Sequence, residues 1–358
     1  MKNDDGALLR EASRVLEERK DSGLEGLVGG LECVIINTQP ERFEASALEL
    51  LSTTGHEISD AFDDSDSRSI VLSRKDSADL IVRARTAGEN PFAAINIHPR
   101  SKSMPDTRLE TFVFEVHDLA RFTEIQRKRG VRFLTENARE SRDYAFIQTA
   151  PSRFTGNSIG YIEWKGKGRS YASAGSRPLS VGLAKPAWSH LGNIMELDHT
   201  ATRVTAEDRD PAILEFMELT NYCFDFAIYV ESLNSITNVA RHPDHGFAMV
   251  FTSGISPYVN DDASGPTEKF THNYGARVHH MAFRTEKIED TFTALAAHGM
   301  EFLVELVGSP DEGLKQTFSQ PSRNTILVNE YIHRYGDFKG FFTKSNVTSL
   351  TAATAMQD

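Results

Sequence analysis

One stretch of this chain occurs twice. Phe112–Leu134 reads FVFEVHDLARFTEIQRKRGVRFL, and Met281–Leu303 reads MAFRTEKIEDTFTALAAHGMEFL. A constant offset of 169 aligns the two without a gap: Phe114 meets Phe283, Gly130 meets Gly299, Phe133 meets Phe302 and Leu134 meets Leu303. Each copy is a short apolar strand, an amphipathic helix, a glycine stop and a second apolar run. An internal repeat decides architecture before any local reading does, because each unit needs a neighbour to cover its apolar face.

The flanks repeat as well. Residues 1–25 predict a leading helix, with Leu8, Leu9, Ala12, Val15 and Leu16 at helical spacing. LECVIINT (31–38) predicts a strand and 42–51 a helix. Strands follow at 69–74 and 80–85, then the 112–134 unit, then YAFIQT (144–149) and IGYIEW (159–164). Gly166–Trp188 is a linker rich in Gly, Ser, Ala and Pro. The second half repeats the order, with strands at 197–204, 226–230 and 247–252, a helix at 211–220, the 278–303 unit and a strand at 325–334. The tail from Ser345 reads as a short helix with little apolar surface. The expected fold is α+β, two tandem βαβββ modules forming half-barrels. The expected boundaries are a helix at 1–26, a first module at 27–165, a linker at 166–188, a second module at 189–347 and a tail at 348–358.

Composition narrows the function classes. With 39% hydrophobic and 25% charged residues, the chain is that of a soluble globular protein. Its net charge of -12 argues against a polyphosphate partner, and its best basic cluster, Lys165-Gly-Lys167-Gly-Arg169, is a short loop, so no nucleic acid is expected. Two cysteines, Cys33 and Cys223, suggest no disulfide framework and a reducing compartment. No apolar run is long enough to span a membrane, and the charged N-terminus is no signal peptide. A cytoplasmic protein without a membrane partner is expected.

The second copy carries candidate metal ligands on three separate strands: His199 in Leu197-Asp198-His199, His280 in Val278-His279-His280-Met281, and Glu330 in Val328-Asn329-Glu330-Tyr331. Two imidazoles and a carboxylate form a facial triad that leaves adjacent positions open, which suits non-haem Fe(II) and O2. The first copy serves as a control. The 169 offset sets Thr111 against His280 and Tyr161 against Glu330, and the match of LEC (31–33) to LDH (197–199) sets Cys33 against His199. Cys, Thr and Tyr make no such site, so one cup is expected to hold metal and the other none. The remaining histidines, among them His56, His98, His117, His190, His242, His245, His272 and His298, take the ordinary surface or satisfied-core role.

A tandem βαβββ chain resembles the vicinal-oxygen-chelate superfamily. The second half resembles, within it, the 4-hydroxyphenylpyruvate dioxygenase and hydroxymandelate synthase family, of which this chain looks like a divergent member. Six segments carry the resemblance in order: LDH at 197–199, Leu233-Asn234-Ser235, His279-His280-Met281-Ala282, Leu314 to Pro321 (LKQTFSQP), Glu330 to Arg334 (EYIHR), and Gly340 to Val347 (GFFTKSNV). The resemblance implies an Fe(II) dioxygenase, an oxidoreductase of the kind found in aromatic amino acid catabolism. The carboxylate and 2-oxo oxygens of a 2-oxo acid would bind the metal, O2 would take the third position, and loss of CO2 would be coupled to hydroxylation of the same molecule. It implies His199, His280 and Glu330 as ligands, Gln316 and Ser235 as groups that hydrogen-bond the substrate, and Phe318 and Phe341 as walls for its ring. It also implies a homo-oligomer formed through the metal-free half.

The departures are as informative. The family's Asn of "NEP" is replaced near Thr252-Ser253-Gly254, placing Ser253 in the substrate shell. The Gln before the second histidine is His279, the Phe of "GNF" is Val347, and the Phe two before the carboxylate is Val328. A pocket so changed predicts a 2-oxo acid other than 4-hydroxyphenylpyruvate. Two other classes stay open: an extradiol catechol dioxygenase with His279 or His333 as base, and a cup that only sequesters a small molecule.

Overall fold

A computed structural model describes residues 5–166, 168–336 and 338–357. The first four residues of the expected leading helix and Lys167 of the basic loop lie outside them. The order is α1 (Asp5–Ser22), β1 (Val28–Thr38), α2 (Phe43–Thr53), β2 (Glu57–Asp63), β3 (Ser67–Ser73), β4 (Asp79–Arg85), β5 (Arg108–Val116), α3 (Leu119–Lys128), β6 (Arg139–Glu140), β7 (Tyr144–Gln148), β8 (Ser158–Trp164) and β9 (Arg177–Pro178). The second half follows with β10 (Ile194–Arg203), α4 (Arg209–Leu219), β11 (Cys223–Val230), β12 (Ser235–Arg241), β13 (Ala248–Ser253), α5 (Pro266–Tyr274), β14 (Arg277–Thr285), α6 (Ile288–Ala297), β15 (Val307–Ser309), β16 (Leu314–Phe318), β17 (Val328–Arg334) and α7 (Lys344–Ala353). Among the described residues no helix is long and apolar enough to cross a membrane.

The strands form two curled sheets. The first runs β6-β7-β8-β5-β1-β4-β3-β2-β9 and the second β11-β12-β13-β10-β14-β17-β16-β15. Reading the second backwards reproduces the first strand for strand; only β9, supplied by the segment expected to be a bare linker, is extra. Strands β2 and β12 are not among the elements expected from the sequence: Glu57–Asp63 is polar, and Ser235–Arg241 carries no strand expectation. The repeated unit is reproduced to the residue: β5 and α3 coincide with β14 and α6 at the 169 offset. Gly130 (φ 87°) and Gly299 (φ 92°) end the two helices in the left-handed region, which explains the shared glycine stop.

Alternation along each strand divides two environments. Val34 and Ile36 of β1, Phe114 of β5 and Phe283 of β14 face a core that runs continuously through both modules, with α1 and α4 packed on it. Phe114 and Phe283 are both 0% exposed; each contributes roughly 1.5–3 kcal/mol by burial. Cys33, Ile35 and Val113 face the first cup instead. The modules also clasp each other through buried arginines. Arg108 of β5 donates to the backbone oxygen of Ala276, and Arg277 of β14 donates to that of Thr107.

Candidate metal centre

Sheet register builds the centre. His199 on β10 pairs with Ala282 on β14, and Ala282 pairs with Glu330 on β17. The three residues form one row across the middle of the sheet. His280 lies two residues back along β14, on the same face, and the small Ala282 side chain leaves the space between them open. Three ligand atoms, one from each of His199, His280 and Glu330, all lie within 4.8 Å of one another, and all three residues are buried. Each histidine Nε2 is 3.2 Å from Glu330 Oε2.

Other side chains fix the orientation of each of the three. The His199 ring contacts Asp198 Oδ1 through Nδ1 at 2.7 Å, and Asp198 accepts two hydrogen bonds from Arg334, at 2.6 and 3.0 Å. Burial raises the Asp198 carboxyl, but His199 and Arg334 outweigh it and hold the group below the usual carboxylate range. Burial lowers His199, yet Glu330 and Asp198 together lift it to about 9. His280 is pushed down by burial, then by His279 and His199. A neutral His280 with its Nε2 lone pair toward Glu330 carries its proton on Nδ1. It then donates to His279 Nδ1 at 2.9 Å, and His279 Nε2–H donates to Gln357 Oε1, also at 2.9 Å. Gln316 Nε2 donates to Glu330 Oε1 at 2.5 Å, and Gln316 Oε1 accepts from Asn346 Nδ2 of α7 at 2.9 Å.

The donor set fits one small divalent cation: buried, two imidazoles and a carboxylate, with separations that let three atoms meet one ion. Metal ligands of this type are characteristically held by a second layer of hydrogen bonds, and each of these has one.

A cavity of about 50 Å³ adjoins the triad. Ser235, Gln316, Phe318, Val347 and His279 line it. Four expectations need correction. Ser253 does not line the cavity; its hydroxyl donates to the Gly254 carbonyl, and alternation along β13 brings Thr252 in instead. Phe341 packs on the back of His199 and beneath Arg334, while Phe342 faces the cavity. The partner of Glu330 in the first cup is Gly160 rather than Tyr161: β5 pairs Val113 with Gly160 where β14 pairs Ala282 with Glu330. One extra residue between Leu303 and Leu314 shifts the offset to 170, and Tyr161 faces the core, with its hydroxyl on the Leu219 carbonyl. Finally, the tail is not a weak appendage. α7 runs unbroken from Lys344 to Ala353, across the expected boundary at 347, and buries Asn346, Val347, Leu350 and Ala353 over the cavity.

His333 contacts the Thr285 carbonyl and does not line the cavity. Sequence reasoning missed Asp198, Arg334, Asn346 and Arg203. Arg334 and Arg203 were open to it, since each stands four residues beyond a proposed ligand on the same strand face.

No protein-family model matches the chain, and no curated protein matches its sequence. Among solved structures, a mutant of 4-hydroxymandelate synthase from Streptomyces coelicolor aligns with 92% of this chain and 99% of its own, with a TM-score of 0.67 and 18% identity. A fusion of a xylose isomerase-like TIM barrel with 4-hydroxyphenylpyruvate dioxygenase aligns with 92% of this chain and 52% of its own, with a TM-score of 0.64 and 16% identity. The two curled sheets and their strand order therefore give this chain the fold of these two structures, the 4-hydroxymandelate synthase and the 4-hydroxyphenylpyruvate dioxygenase fusion.

Proposed function

We propose that the chain is an Fe(II)-dependent dioxygenase of a 2-oxo acid, with His199, His280 and Glu330 as metal ligands. One observation carries the reading: the second cup joins a buried His-His-Glu triad to a small cavity, while the first cup has Cys33, Thr111 and Gly160 at the matching positions. A metal held by one carboxylate and two neutral imidazoles leaves adjacent positions open, and iron bound there supplies the activation of O2. The overall conversion takes a 2-oxo acid and O2 to CO2 and a hydroxy acid one carbon shorter, with one oxygen atom in the new carboxylate and one in the new hydroxyl.

The protein's own residues position and protect. Asp198 and Arg334 keep the His199 ring turned so that Nε2 faces the ion. His279 does the same for His280. Gln316 holds one Glu330 oxygen, so that the carboxylate presents the other. Ser235 and Gln316 offer hydrogen bonds to a bound acid, and Phe318 and Phe342 wall it. α7 excludes bulk water, which strengthens every electrostatic contact beneath it.

The test is spectroscopic. The protein is purified under nitrogen, loaded with Fe(II) and titrated with a panel of 2-oxo acids and catechols. A weak visible charge-transfer band with 2-oxo acids, followed in air by one CO2 per O2, is expected. A response to catechols alone would replace the reading with ring cleavage, and failure to take up iron would end it.

A further inference from the structure

The side chains that support the three proposed ligands all end on one segment, 341–357. Glu330 is held by Gln316, and Gln316 by Asn346 in the first turn of α7. His280 meets His279, and His279 meets Gln357, four residues past the end of α7. His199 rests on Asp198 and Asp198 on Arg334, whose Nη2 reaches the Phe341 carbonyl at 3.4 Å.

Two of these chains carry direction. A side-chain amide has a donor end and an acceptor end, so fixing one dictates what the other presents. Asn346 is 1% exposed, and its Nδ2 donates to Gln316 Oε1 at 2.9 Å. That leaves Gln316 Nε2, the donor, for Glu330. An imidazole passes direction on in the same way. Gln357 Oε1 accepts from His279 Nε2, which leaves His279 Nδ1 as an acceptor and places the His280 proton on Nδ1. The Nε2 lone pair of His280 then faces Glu330 and the metal position. The fold makes room for the first of these contacts. A Cβ on Gly308 of β15 (φ 88°) would come within 2.7–2.8 Å of the Asn346 amide.

We infer that Asn346 and Gln357 are positioning residues for the metal centre, and that metal binding and docking of the 341–357 segment reinforce each other. This rests on the triad as a metal site, the premise of the reading above. Asn346 acts as a donor and Gln357 as an acceptor, each through one intervening side chain. Such coupling is reciprocal: the factor by which docking tightens the metal is the factor by which the metal holds the segment down.

Isosteric acids test the two roles, because each removes the donor end of its amide and keeps its size. Chelator competition under nitrogen gives the Fe(II) affinity. Asn346→Asp cannot donate to Gln316, and affinity is expected to fall about 10–100-fold, the usual effect of losing an outer hydrogen-bond partner. Gln357→Glu still accepts from His279 and is expected to stay within about threefold of the native protein. Gln357→Lys, a donor only, is expected to lose affinity as Asn346→Asp does. An added negative charge would tighten a cation at both positions, and lost packing would weaken it at both, so the split between the two acids reports direction alone. Hydrogen exchange needs no variant: amides of α7 in the native protein are expected to exchange about 10–100-fold more slowly with Fe(II) bound. Unchanged affinity in Asn346→Asp, equal losses in the two acid variants, or α7 exchange blind to iron overturns the inference and leaves the metal site intact. A native protein that takes up no iron overturns both this inference and the dioxygenase reading.

Discussion

The two cups share a sheet order, and the side chains at a few matched positions set them apart chemically. At the row where the second cup has His199, Ala282 and Glu330, the first has Cys33, Val113 and Gly160, and Thr111 stands where His280 does. Phe146 occupies the position of Gln316, so the hydrogen bond that steadies Glu330 has no counterpart. Coverage differs too. α7 closes the second cup to about 50 Å³, whereas the first keeps a cavity of about 490 Å³. The first cup spends its buried charge on itself: Glu110 is 0% exposed and is held by both Arg83 and Arg85. The backbone therefore supplies a shape, and a few strand positions decide whether that shape gathers three metal-ligand side chains.

The asymmetry can be broken most directly at the ligands. Glu330→Ala or His280→Ala is expected to weaken iron binding by at least about 10³-fold, while Cys33→Ala and Thr111→Ala leave it unchanged. Metal analysis after dialysis checks this, and iron retained by either ligand variant breaks the comparison. A smaller effect comes from moving a ligand across. A Cβ at Gly160 would meet Phe146, Thr111 and Val113 at 3.0–3.1 Å. Gly160→Glu is thus expected to cost about 3–5 kcal/mol in a denaturation experiment, from overpacking and a buried unpaired charge. Adding Phe146→Gln should recover part of that loss.

Protons sharpen the comparison further. His56, from the first module, packs on Phe283 of the second at 6.0 Å between ring centres. Burial lowers it to about 4, against the pull of the Ala78 carbonyl. Its folded value lies below its unfolded one, so its share of stability is complete above about pH 6.5 and is lost as pH falls toward 4. The share is about 3 kcal/mol. The difference between native protein and His56→Gln across that window measures it; a flat difference removes His56 from the account. His199 behaves in the opposite sense. Raised to about 9, it is protonated near neutral pH before metal arrives and must be neutral afterwards. Iron uptake at about pH 7.5 is expected to release about one proton, read with an indicator dye. The smallest effect concerns orientation: Asp198→Asn should lower iron affinity about 10–100-fold without abolishing it.

The duplication and the meeting of His199, His280 and Glu330 were legible in the sequence, because strands with period-two alternation place side chains predictably. What it concealed has physical causes. A single residue inserted in a loop moved the register by one and exchanged Tyr161 for Gly160, which flips a side chain from cup to core. The faces of Thr252 against Ser253 turn on the same kind of parity along β13, whereas Phe341 and Phe342 lie in the loop before α7, where no alternation applies. The tail looked too polar to pack because its apolar residues are few; Leu350 and Ala353 nonetheless join Leu303, Phe318 and Val328 in a small core, and Val347 lines the cavity.

The two interface arginines have a consequence of another kind. Arg108 reaches the carbonyl of Ala276, and Arg277 reaches that of Thr107; under the offset of 169, each contact maps onto the other. A contact in which i meets j while j meets i is the mark of two-fold, isologous association between identical subunits. The two halves thus meet, inside one polypeptide, as the subunits of a symmetric dimer would. Because the halves belong to one chain and differ in sequence, this near-symmetry of contact does not extend to the cups: His199, His280 and Glu330 meet in one of them alone among the described residues.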